Sequence, residues 1–249
     1  MTIISFDWLQ LCILFIASLL AAVARGYAGF GYSAIVITTA SIVINPILIV
    51  PALYILEIIA SLYMLPTIRH DIDYKALWPM LAGCVIGIPT GQSLLVYLAV
   101  DNTRLLLSLS VFVSAILIWR SIRFHCEMNR LLACLTGFVT GLGSGMASIG
   151  GLFAMVVFIG TNYPIPQTRA IFIVMFLVMY IYGIGISHMN GLVSETTLFI
   201  VGLLLFPMLA GIFIGTMQYT TSTTATFRRY TLMLLIIISL TGVLRTILF

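Results

Sequence analysis

Long apolar runs, separated by short connections that hold nearly all of the charge, dictate what this chain can become. Only 7% of its residues are charged against 62% hydrophobic, too few polar side chains to clothe a water-facing surface. A helical crossing of a bilayer takes about 20 apolar residues. The 249 residues therefore hold roughly eight to ten crossings and leave no length for a soluble domain. The expectation is an all-α, polytopic integral membrane protein, one membrane domain over residues 1–249, with the lipid bilayer as its first partner. A basic balance (pI ≈ 9.0) normally raises the question of nucleic acid. Here the bases stand singly in loops, where membrane topology rather than an acidic partner places them. Cys12, Cys84, Cys126 and Cys134 show no metal-type spacing, so neither a metal nor a cofactor is implied. No basic region precedes the apolar run 9–24, which is read as the first retained segment rather than a cleaved signal.

Breaking the chain at charges, glycine clusters and prolines predicts segments at 9–24, 30–44, 47–67, 76–98, 104–119, 131–144, 149–160, 169–187, 195–217 and 230–248. The second, sixth and seventh are short for a full crossing, because a helix rises only about 1.5 Å per residue against about 30 Å of hydrocarbon. Glycine-rich linkers precede two of them: Arg25-Gly26-Tyr27-Ala28-Gly29-Phe30-Gly31, and the stretch from Gly141 to Gly151.

That coincidence points to an internal repeat. Pro79-Met80-Leu81-Ala82-Gly83-Cys84-Val85-Ile86-Gly87 and Pro207-Met208-Leu209-Ala210-Gly211-Ile212-Phe213-Ile214-Gly215 differ only at their sixth and seventh positions. Gly26–Gly31 overlays Gly145–Gly150, and Ala52–Tyr63 overlays Ala170–Ile181. Each half, 1–124 and 125–249, holds five segments. An odd number sends the second half into the membrane with the opposite orientation, so the expected fold is an inverted-topology repeat with glycine-rich, re-entrant-like hairpins. Basic residues agree when the N-terminus is outside. Arg25, Arg69, Lys75, Arg120, Arg123, Arg130, Arg169, Arg228 and Arg229 then face the cytoplasm, leaving Arg104 and Arg245 outside.

Two halves that each place a glycine-rich hairpin after the first helix, followed by a short loop with Asn and Pro (Asn45-Pro46; Asn162-Tyr163-Pro164), resemble the TauE/SafE sulfite exporter family along essentially the whole chain. The resemblance implies a multi-pass protein of the cell (inner) membrane. It also implies a secondary transporter of sulfite, a sulfonate or a related small organic anion, working without an ATPase domain.

The residues themselves allow the same chemistry. Glycines let backbone approach a ligand closely, and a helix that starts just after them presents unpaired N–H groups and a positive dipole end. Gly29, Phe30, Gly31 and Ser33 in the first hairpin, and Ser148, Gly150 and Gly151 in the second, are therefore candidate substrate-binding residues, with Asn45 beside them. Close helix packing is the other reading of the glycines. Arg25 is either a fixed cation for an oxyanion or a cytoplasmic anchor. Glu57, deep in an apolar segment and overlaid on Met175, is a candidate proton carrier; a protonated interhelical hydrogen bond is the alternative. Arg169 reads as a loop-end anchor. A membrane-embedded enzyme would need a catalytic set that the segments lack, so no enzymatic activity is expected. A non-transporting scaffold or channel subunit would need neither Glu57 nor paired hairpins.

Overall fold

The computed structural model describes residues 8–41, 44–68, 70–120, 127–161 and 163–221. The expected tenth segment, the bulk of the 121–129 loop, Arg69, Asn162 and the arginines at 123, 228, 229 and 245 lie outside these residues. The side chains of residues 9 and 218–221 are not described either. Among the described residues every regular element is helical: α1 (Trp8–Ala28), α2 (Tyr32–Ala40), α3 (Pro46–Met64) with a 3₁₀ turn at Leu65–Thr67, α4 (Tyr74–Tyr97), α5 (Val100–Arg120), α6 (Arg130–Ala147), α7 (Gly150–Gly160), α8 (Ile165–Met189) and α9 (Glu195–Thr221). Seven are long and apolar enough to cross a membrane; α7, and α2 with nine residues, are not. Large apolar side chains such as Trp78, Ile86, Phe206 and Phe213 face outward, as a lipid-facing surface requires.

Local chemistry sets the helix ends. Asn45 caps α3 by accepting from Ile47 N (3.1 Å), with Pro46 preorganised in the first turn. Asp73 caps α4 through Lys75 N (2.8 Å), and Asn129 caps α6 through Leu132 N (2.8 Å). α1 ends where Gly29 takes φ +80° and its N–H bonds the Arg25 carbonyl (2.8 Å). α6 ends where Ser148 enters the same left-handed region, at φ 58°.

Glycine brings helices into backbone contact. On α4, Gly83, Gly87 and Gly91 lie against Gly137, Gly141 and Gly145 of α6, and a Cβ at most of these positions would run into the facing backbone. Gly211 and Gly215 of α9 meet α1 around Leu19, Val23 and Gly26 in the same way. The matching segments at 79–87 and 207–215 therefore do the same mechanical task. Two sequence expectations are corrected here. α1 runs through Arg25 to Ala28, so Arg25 is inside a helix and fully buried, not in a cytoplasmic linker. α8 begins at Ile165, so Arg169 is a buried helical residue rather than a loop-end anchor; its Nη2 donates to the Gly26 carbonyl (3.0 Å).

Candidate functional site

α3 and α8 pack together along the middle of the molecule, with α2 resting on α3 and α1, and α7 on α6. The starts of the two short helices meet there. One small cavity, about 10 Å3 and the size of a single water, is lined by Gly31, Ser33 and Ala34 at the start of α2 and by Ser148, Ile149, Gly151 and Leu152 at the start of α7. Glu57 of α3 and Phe176 and Tyr180 of α8 complete its wall. The first N–H groups of a helix have no partner within it, so both helices bring donors and positive dipole ends to this space.

Among the described residues Glu57 is the only carboxylate lining the cavity, and it is 2% exposed. Ser33 Oγ donates to its Oε1 (2.7 Å). Its Oε2 stands 2.9 Å from Arg25 Nη2. That approach lies off the N–H direction: the charges are paired, yet Oε2 accepts no hydrogen bond. Arg25 is held by several further contacts. Its Nη1 donates to the Gly29 carbonyl, Nη2 donates to Ser61 Oγ (2.9 Å), and the guanidinium lies over the Phe176 ring, 4.9 Å from its centre. The charge therefore stiffens the first glycine turn and stands just behind the cavity wall. Between it and the cavity are Glu57 and Phe176.

Aromatic rings support the other side. Phe172, Phe176 and Tyr180 follow one another at four-residue spacing on α8, the last two stacked 5.6 Å apart. Tyr54 of α3 stacks on Tyr180 (5.1 Å) and donates to the Ser144 carbonyl (2.7 Å). Ser148 Oγ donates to the Tyr180 hydroxyl (3.3 Å), joining the second turn to this stack.

Of the residues expected from sequence, Gly31, Ser33, Glu57, Ser148 and Gly151 line one cavity. Gly29 and Gly150 shape it from behind. Gly29 abuts Arg169, and a Cβ at Gly150 would strike the Thr140 carbonyl and Ser144 Oγ. Phe30 packs edge-on against Phe172 (5.9 Å) and is not part of the lining, nor is Asn45, the α3 cap. Sequence reasoning passed over Ser61, Tyr54, Phe176 and Tyr180. The signals were present: Ser61 sits one turn after Glu57, and the α8 aromatics form a stripe at helical spacing.

A family model described as sulfite exporter TauE/SafE matches residues 14–241, nearly the entire chain. The chain belongs to the TauE/SafE family. It is accordingly a multi-pass membrane protein of a transporter family, in keeping with the seven long apolar helices among the described residues. Searches of curated proteins and of solved structures returned no match to this TauE/SafE chain.

Proposed function

We propose that this protein is a secondary transporter of the cell (inner) membrane that carries sulfite, a sulfonate or a related small anion, with Glu57 coupling the movement to protons. One observation carries the reading: the starts of two short helices and a buried carboxylate face the same small cavity. Helix starts at membrane depth favour anions, and an ionisable side chain there is functional by default, because its desolvation has to be offset. The family name supports sulfite as the type of cargo.

The chain acts as one membrane domain of two inverted halves, 1–124 and 125–249. Helix pairing supports this: α1 lies on α9 as α6 lies on α4, and α3 meets its counterpart α8. Any sulfur oxyanion is larger than the water-sized cavity, so loading requires the two turns to part. Arg25 acts from behind the wall as a positioning residue, paired with the Glu57 carboxylate that lines the cavity.

Flux into proteoliposomes, measured for sulfite, sulfate, thiosulfate, C2 sulfonates and small carboxylates, tests the proposal. Saturable uptake of a sulfur anion, driven by an imposed pH gradient, is the expected result. Absence of flux for the whole panel by folded protein would remove the transporter reading and leave a scaffold.

A further inference from the structure

We propose that the cavity accepts an anion only after Glu57 has taken up a proton, so that proton and anion travel together as a neutral pair. This rests on the transport reading above. With Glu57 ionised, the Arg25–Glu57 pair is neutral and fully buried. An arriving monoanion would then leave an uncompensated negative charge beside a carboxylate, in a space with room for little water to screen it. Protonation of Glu57 leaves the guanidinium charge unmatched, directly behind the wall formed by Glu57 and Phe176. The anion restores neutrality. The guanidinium charge that adds to the paired helix starts becomes available only in the protonated state.

The local geometry suits that exchange. Arg25 keeps contacts that do not involve Glu57, to Gly29, Ser61 and the Phe176 ring, and so stays in place when the carboxylate loses its charge. Glu57 Oε1 is held by Ser33 and Oε2 only by the ion pair with Arg25, so that pairing is the contact a proton on the carboxyl weakens. The charged and titratable groups around Glu57 are Arg25 from α1, the phenol of Tyr32 from α2 and the phenol of Tyr180 from α8. Arg169 of α8 adjoins the same turn through Gly29 and Gly26.

The prediction concerns affinity and its pH profile. The purified full chain is titrated calorimetrically with methanesulfonate and with ethanesulfonate, monoanions whose charge stays constant from about pH 5 to pH 9, a window spanning ordinary and desolvated carboxyls. Wild-type affinity should be highest at acid pH and fall by about tenfold per pH unit on the alkaline side. Glu57→Gln, which has the shape of a protonated carboxyl but cannot release a proton, should hold the acid-side affinity at every pH. Ser33→Ala leaves the carboxyl in place but removes the donor that favours its ionised form. It should move the profile to higher pH, and it carries the test should Glu57→Gln fail to fold. Wild-type affinity that is level with pH, or that rises with pH as exchange of anion for proton would require, overturns the inference while leaving anion transport standing. Folded wild-type protein that binds neither these probes nor sulfite at any pH overturns the transport reading and this inference together.

Discussion

The two glycine-rich turns have the same mechanical task and different chemistry. Each ends a long helix in the left-handed region and at once begins a short one, at Gly29–Gly31 and at Ser148–Gly150. The first turn is backed by an ion pair, Arg25 with Glu57, tied to the turn through Gly29 and Ser33. In the second, the position overlaying Arg25 is Ser144, that overlaying Glu57 is Met175, and the turn is held by Tyr180 and by tight backbone packing around Gly150. A turn of this shape therefore forms without buried charge. The second turn does without such an ion pair, which is the physical reason for proposing a function for the pair in the first.

The largest effect that would break this comparison is expected at Arg25. Arg25→Ala strands the Glu57 carboxylate in the interior and should cost about 3–5 kcal/mol, whereas Ser144→Ala should be nearly silent. Replacing both partners, Arg25→Leu with Glu57→Leu, should recover most of that loss, because the expensive species is the unpaired charge. Thermal unfolding in detergent reads all four proteins. A double variant as unstable as Arg25→Ala would mean that the pair is required for the fold.

Next come the glycines. Gly150→Ala drives a Cβ into the Thr140 carbonyl and should cost at least the upper part of the usual overpacking range of about 1–3 kcal/mol. Gly31→Ala meets no neighbour within 4 Å and suffers only from its φ of +99°, a cost of about 1–2 kcal/mol. Gly31→Asn, which tolerates the left-handed region better, should recover part of that cost, while Gly150→Asn should be worse than Gly150→Ala. Equal responses at the two positions in the same unfolding assay would erase the distinction between a turn built on conformation and one built on close packing.

The smallest effect lies outside the membrane-spanning helices, where the Tyr163 hydroxyl, in the connection before α8, donates to the Asp73 carboxylate that caps α4. That bond, followed by the bonds from the Lys75 and Ala76 N–H groups, holds Asp73 below the usual carboxylate range, while Tyr163 is pushed up, chiefly by burial and then by the same bond. A depressed carboxyl contributes stability that is complete above its unfolded value, about 3.9, and is lost as pH falls through the folded one. Tyr163→Phe should therefore cost about 1 kcal/mol at neutral pH and flatten the acid limb of the stability profile. An unchanged acid limb would show that the connections are not joined there.

Most of the architecture was legible because apolar run length, glycine clusters and the matching Pro79–Gly87 and Pro207–Gly215 segments report on local needs. Helix ends were less legible. A lone arginine reads as a boundary, yet Arg25 and Arg169 are buried inside helices, where Glu57, Ser61 and the carbonyls of Gly29 and Gly26 pair with them, most from distant parts of the chain. Those partners are products of tertiary packing, which periodicity does not encode. Glu57 and Ser33 stood out because each is polar in an apolar run. Phe176 and Tyr180 did not, because an aromatic stripe in a membrane helix looks like ordinary core.

The central claim is that Glu57 couples anion movement to protons. Accumulation of sulfite in proteoliposomes, with and without an imposed pH gradient, tests it in wild type and Glu57→Gln. Wild type should concentrate the anion only with the gradient. Glu57→Gln should carry the anion down its own concentration gradient yet ignore pH, because glutamine keeps the hydrogen-bonding shape without a releasable proton. Gradient-driven accumulation by Glu57→Gln at the wild-type level would contradict the account and return Glu57 to a structural role beside Arg25.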